Sequence, residues 1–118
     1  MEVFEAIRKR RSVRAYEKGR DVPPELIERI IDAARWAPSA GNLQPWEFVV
    51  VRDEERKRRL ADAALGQYFI AEAPVVIVVC ADERKAEMGY GRRGRELYCI
   101  QDTAAAIQNM LLAATALG

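Results

Sequence analysis

The chain has 118 residues, half of them apolar and 31% charged, with 19 Lys+Arg against 18 Asp+Glu and a formal net charge of +1. That composition suits one globular domain spanning residues 1–118 and excludes a disordered chain. The charge balance argues against a general nucleic-acid coat. The absence of histidine removes a Ser-His-Asp or Cys-His device, a histidine base and any histidine-bearing zinc site.

The elements follow in chain order. Residues 2–11 (EVFEAIRKRR) place Val3, Phe4 and Ile7 at i, i+1 and i+4, a short amphipathic helix. Residues 14–22 (RAYEKGRDV) read as an extended turn region with Gly19 as punctuation. In residues 23–37 (PPELIERIIDAARWA), Pro24 suits a first helical position, and Leu26, Ile27, Ile30, Ile31 and Ala34 line one face. Residues 38–45 (PSAGNLQP) stop that helix in a loop. A strand is expected over 46–52 (WEFVVVR). Asp53 then caps a charged surface helix over 54–65, whose cations alternate with acids as in i,i+4 pairing. Residues 74–80 (PVVIVVC) predict a second strand, apolar throughout and so covered on both faces. Residues 82–96 are polar with three glycines and read as a loop or an irregular helix. Residues 96–118 predict a long, mostly apolar helix whose alanines permit close packing. A helix that apolar needs partners on most sides, so either a dimer covers it or the chain continues beyond Gly118.

Cys80 and Cys99 form no C-x-x-C pair and read as small core residues, and no apolar segment of signal-peptide length opens the chain. A disulfide scaffold is not expected, and a reducing cytoplasm is. The longest apolar run, residues 73–81, is too short to span a bilayer.

Two stretches offer chemistry. In RKRRSVRAY (8–16), Arg10, Arg11, Ser12 and Arg14 set guanidinium forks and a hydroxyl within five residues, a donor set that matches phosphate. Beyond the helix the chain is expected to run extended, so Ser12 and Arg14 share a face. The alternative is a solvated helix end favoured by the helix dipole. In PSAGNLQPW (38–46), Gly41 permits close approach by a ligand, and Ser39, Asn42 and Gln44 supply donors and acceptors. The alternative is a helix stop in which Pro38 breaks, Asn42 caps and Trp46 packs.

Together these stretches resemble a family. RRSVRAY (10–16) followed by AARWAPSAGNLQPWEFVVV (33–51), EAPVVIVVCAD (72–82) and DTAAAIQNMLLAATALG (102–118) is similar, in order and across the whole chain, to the nitroreductase family of FMN-dependent oxidoreductases. The resemblance implies an α+β (α/β-type) fold, helices around a small central sheet with a long apolar central helix, in an intertwined homodimer. It implies FMN as cofactor and NAD(P)H as co-substrate, a ping-pong exchange, and small acceptors such as nitroaromatics or quinones. Flavin would supply the reactivity, and no side chain is expected as acid, base or nucleophile. Arg10, Arg11, Ser12 and Arg14 would hold FMN, with Arg14 toward the pyrimidine end of the ring, where a cation stabilises charge on the reduced flavin. Pro38, Ser39, Ala40 and Asn42 would reach the flavin of the partner subunit, and Gln67 would touch the flavin. Gln44 and Trp46 are expected to be structural. Neither nucleic acid, membrane nor metal is an expected partner. The family continues past the position of Gly118 with further strands, so the chain is expected to be incomplete at its C-terminal end. Two alternatives remain open: a non-catalytic flavin-binding or dimerisation remnant of that fold, and a small RNA-binding protein using GYGRRGRE (89–96).

Overall fold

Acidic side chains start three of the helices. In a computed structural model describing residues 1–118, Glu2 accepts the Phe4 N–H, Asp53 the Arg56 N–H and Asp82 the Lys85 N–H, each satisfying a donor that a helix N-terminus leaves free. The resulting helices are α1 (Val3–Lys9), α3 (Glu54–Ala63) and α5 (Glu83–Arg93). Proline at the first turn opens α2 (Pro24–Arg35). Strands β1 (Trp46–Val51) and β2 (Val76–Ala81) flank α3 and the single-turn α4 (Phe69–Glu72), and the chain closes with α6 (Cys99–Ala116). The glycine-rich stretch left open by the sequence is helical but irregular. It kinks at Gly91 and passes through a π turn over Gly94–Tyr98 into α6. Gly94 is required there, because a Cβ would collide with the Ala86 carbonyl oxygen.

Helix α6 is the spine. It packs on α2, α1, both strands and the π turn. Ala34 and Ala106 are fully buried where α2 meets α6, and Ala37, Trp46 and Met110 complete the core. Small residues let two helix backbones approach closely. No helix is long and apolar enough to cross a membrane.

The two strands pair antiparallel, with Trp46 opposite Ala81 and Val51 opposite Val76. Alternation sends Phe48, Ile77 and Val79 to the core. The other face, with Val49, Val51 and Val78, meets Arg56, Arg59 and Leu60 of α3 across an open cleft of about 470 Å³. This corrects the expectation for β2. Its apolar residues are only half-buried, because the sheet has two strands and α3 covers the second face loosely. Cys80 falls on that face and is exposed, whereas Cys99 is buried as expected.

The charged helix differs from expectation in the spacing of its pairs, which is not i,i+4, and at one residue. Its pairs are spaced i,i+3, Glu54–Lys57 at 2.8 Å and Glu55–Arg58 at 3.0 Å, and Lys57 is 2% exposed. Its Nζ also donates to the Ala73 carbonyl at 2.7 Å, tying α3 to the segment that leads into β2. A buried ammonium persists only when partnered. Replacing Lys57 by Ala is expected to destabilise the fold by about 1–3 kcal/mol, since a carbonyl loses its donor. Glu54→Ala, on the solvent side of the same pair, should cost no more than about 1 kcal/mol. Denaturant unfolding of both variants checks the difference.

Candidate functional site

The basic stretch divides by role. Helix α1 ends at Arg10, whose backbone turns extended (φ −54°, ψ 133°) while its N–H still bonds the Ala6 carbonyl. Lys9 pairs with Glu5 at 2.7 Å. Arg11 folds back, and its Nη1 donates to the carbonyls of Arg8 at 2.7 Å and Arg10 at 2.9 Å. The helix-end reading therefore holds for Lys9 and in part for Arg11, which caps the last carbonyls of α1. Arg10, Ser12 and Arg14 are different. None has a side-chain hydrogen bond or ion-pair partner in the fold, and no residue from 11 to 22 joins a backbone–backbone hydrogen bond. Two free guanidinium forks, a free hydroxyl and unbonded amides stand on one short segment, a donor set suited to an anion such as a phosphate.

The second stretch forms a corner between α2 and β1. A 3₁₀ turn over Ala40–Asn42 carries three left-handed residues nearby: Gly41 (φ 60°), Asn42 (φ 55°) and Gln44 (φ 54°). Such a cluster requires external support. Ser39 Oγ accepts the Gln44 N–H at 2.9 Å, and Asn42 Oδ1 accepts from Gln44 Nε2 at 3.2 Å. From α6, Asp102 accepts the Ala40 N–H at 3.2 Å, and the Asn109 amide donates to the Ala33 carbonyl at 2.9 Å. Tyr90 closes the corner from α5, its ring lying where a Cβ on Gly41 would stand, and packs edge-on against Tyr98 at 5.2 Å. The space beside Gly41 that the sequence offered to a ligand thus belongs to Tyr90. Trp46 is buried in the core, as expected of a structural residue. Asn42 and Gln44 also line a surface cleft of about 510 Å³ beside Trp36, which is 81% exposed.

Gln67 lies in the turn before α4, exposed, with Nε2 donating to the Ala64 carbonyl at 2.9 Å. Its neighbour Tyr68 donates to Asp62 at 2.8 Å, and that bond, with the Asp62 charge, raises the phenol's pKa. Burial, then the Glu83 charge, raises that of the Cys99 thiol, whose S–H donates to the Arg95 carbonyl at 3.1 Å. Within one chain no hydrogen bond or ion pair joins residues 10–14 to residues 38–44, and none of five surface clefts is lined by both. Sequence reasoning missed Asp102, Tyr16 and Lys57. Only Asp102 left a signal, a carboxylate interrupting an apolar helix.

A long helix carrying a polar corner on one side, a short antiparallel sheet, and a cationic segment at the end of the first helix define an α+β domain. The pattern of the Nitroreductase family matches residues 7–71 and 61–118, and the chain belongs to that family. It is 41% identical over its full length to a Methanothermobacter thermautotrophicus protein provisionally named NADH dehydrogenase/NAD(P)H nitroreductase, of which it covers 58%. It is 37% identical over 87 residues to an FMN reductase [NAD(P)H] of Bacillus subtilis, covering 74% of this chain and 34% of that one. Among solved structures, 98% of the chain superposes on a Desulfovibrio desulfuricans protein, provisionally named a nitroreductase and solved with FMN, at a TM-score of 0.84, with 39% identity over 63% of that chain. It superposes equally fully on the Vibrio harveyi NADPH:FMN oxidoreductase solved with NAD+, at 0.85, with 28% identity over 52% of that chain. The chain thus spans little more than half to about six-tenths of the length of most of these proteins, and about a third of the B. subtilis reductase.

The corner generates a prediction. Gly41→Ala places a Cβ 2.7 Å from the Tyr90 hydroxyl oxygen on a left-handed backbone, and should cost about 1–2 kcal/mol from the backbone alone. Adding Tyr90→Phe removes the closest contact but not the backbone strain. Chemical denaturation of the single and double variants is expected to show partial recovery.

Proposed function

We propose that this domain, taken as one unit over residues 1–118, is the FMN-binding part of an oxidoreductase that takes electrons from NAD(P)H and passes them, by a ping-pong route, to a small acceptor such as a nitroaromatic or a quinone. The observation that carries the proposal is the unpaired set Arg10, Ser12 and Arg14 on a segment whose amides are also free. Two guanidinium forks and a hydroxyl standing close together match the geometry of phosphate oxygens. The names of the similar proteins, an FMN reductase and a structure solved with FMN, support the choice of cofactor. Bound FMN supplies the redox chemistry, which suits a chain without histidine.

The chain's residues then have distinct tasks. Arg10 and Ser12 hold the phosphate and ribityl chain. Arg11 contributes what its capping of α1 leaves free. Arg14 places a cation at the pyrimidine end of the ring and favours the electron-rich reduced form electrostatically. Gln67 offers its amide to the flavin of its own subunit. Pro38, Ser39, Ala40 and Asn42 serve the flavin of a second copy. A dimer is supported by α1, whose Val3, Phe4 and Ile7 are 56%, 62% and 51% exposed, and by Ile107 and Leu111 on α6, against which α1 packs. Apolar residues exposed on two adjoining elements form a surface that water disfavours.

Fluorescence titration with FMN tests the proposal. Arg14→Ala should weaken binding by about ten- to a hundredfold, the worth of a charge-assisted hydrogen bond. Ser12→Ala should weaken it less, and the wild type should oxidise NAD(P)H with menadione as acceptor. Unchanged affinity in both variants would remove the site assignment. FMN binding without NAD(P)H oxidation would leave a flavin-binding module and remove the enzymatic part.

A further inference from the structure

The stretch between α1 and α2 is held at both ends. Arg11 fastens its start to α1. At its finish, Arg52 beside β1 donates to Asp21 Oδ1 at 3.0 Å and to the Val22 carbonyl at 2.8 Å. Between them, no hydrogen bond or ion pair runs from residues 12–20 to any other element; the one pair there, Glu17–Arg20, is internal. Every residue from 11 to 21 is exposed except Tyr16. The Tyr16 ring packs on Phe69 of α4 with centroids 6.4 Å apart and planes inclined at 56°. Helix α4 is itself fixed: Lys57 bonds the Ala73 carbonyl at its end, and Gln67 stands in the turn at its start.

We propose that Tyr16 is a positioning residue for the cationic segment: by docking on Phe69 it sets where Arg14 presents its guanidinium. The inference rests on the flavin-binding reading above. A segment without backbone hydrogen bonds samples many conformations, and one half-buried aromatic contact near its middle removes many of them. Arg14 is two residues from that contact, separated only by a bend at Ala15. Its charge is felt at the Tyr16 hydroxyl, whose pKa is raised chiefly by burial, opposed by Arg14 and reinforced by Glu72. Without the anchor Arg14 remains a cation, but the ordering of its segment must be met from FMN binding energy.

The mechanism predicts coupling between Tyr16 and Arg14. In FMN titrations of the purified protein, Tyr16→Ala is expected to raise Kd roughly three- to tenfold, the worth of an aromatic pair, while Tyr16→Phe stays within about twofold. In the Tyr16→Ala, Arg14→Ala double variant the losses should fall well short of additive, because an absent guanidinium needs no positioning. The visible circular dichroism of bound flavin should change in Tyr16→Ala and be restored in Tyr16→Phe. Thermal unfolding without flavin separates a folding defect from a binding one. If Tyr16→Ala does not fold, Tyr16→Leu takes its place in the same cycle. Additive losses, or wild-type affinity and dichroism in the folded Ala or Leu variant, would overturn the proposal. Wild-type affinity in Arg14→Ala would instead overturn the flavin site itself.

Discussion

A buried carboxylate on the central helix holds the candidate site together. Asp102, 8% exposed, accepts the Ala40 N–H, and two turns further along α6 Asn109 donates to the Ala33 carbonyl. The two contacts are seven residues apart on α6 and grip points seven residues apart on the other segment. They fix both ends of the passage from α2 into the corner. A hydrogen bond to an ionised group is worth about 1.5–3 kcal/mol, enough to stabilise a backbone carrying left-handed Asn42 and Gln44. The close approach that permits both bonds comes from Ala34 and Ala106 at the crossing of α2 and α6.

The cationic segment follows an opposite logic. Where the corner is braced by two hydrogen bonds from α6 and by the Tyr90 ring of α5, the run from Ser12 to Arg20 has almost no such support. Some exposed cations of the chain meet acids, as in Lys9–Glu5, Arg58–Glu55 and Arg92–Glu96. Arg10 and Arg14 do not. A braced corner and an unbraced cationic strap, unconnected within one chain, fit a ligand cradle to which two copies each contribute one part. The exposed apolar residues of α1 and α6 supply a reason for two copies to meet.

Much of this was legible in the sequence where one physical cause dominated. Helical periodicity and a first-turn proline mark α2, the Asp53 cap marks α3, and β-branched runs mark both strands. The resemblance found through RRSVRAY and PSAGNLQPW agrees with the family match and the structural superpositions. What was not legible depends on distant contacts. An apolar run such as 74–80 reads the same whether one face or two are covered, so β2 was expected to be more buried than it is. Lys57 looks like its neighbours in a charged helix, and only the position of Ala73, sixteen residues on, makes it a buried donor. Helix α4, four residues long, is too short to show a period. Tyr90 reaches Gly41 across about fifty residues of chain, a distance over which sequence patterns carry no information.

The central claim is that one flavin is held by the cationic strap of one chain and the corner of another. Hybrid complementation tests it most directly. A chain carrying Arg14→Ala and a differently tagged chain carrying Ser39→Ala and Asn42→Ala are refolded together, and the mixed pair is isolated through both tags. In a symmetric pair that shares its sites, one site of the hybrid collects every substitution and the other collects none. The account predicts that each parent binds FMN weakly while the hybrid binds one FMN per pair with wild-type affinity. A hybrid in which no site recovers wild-type affinity would contradict it.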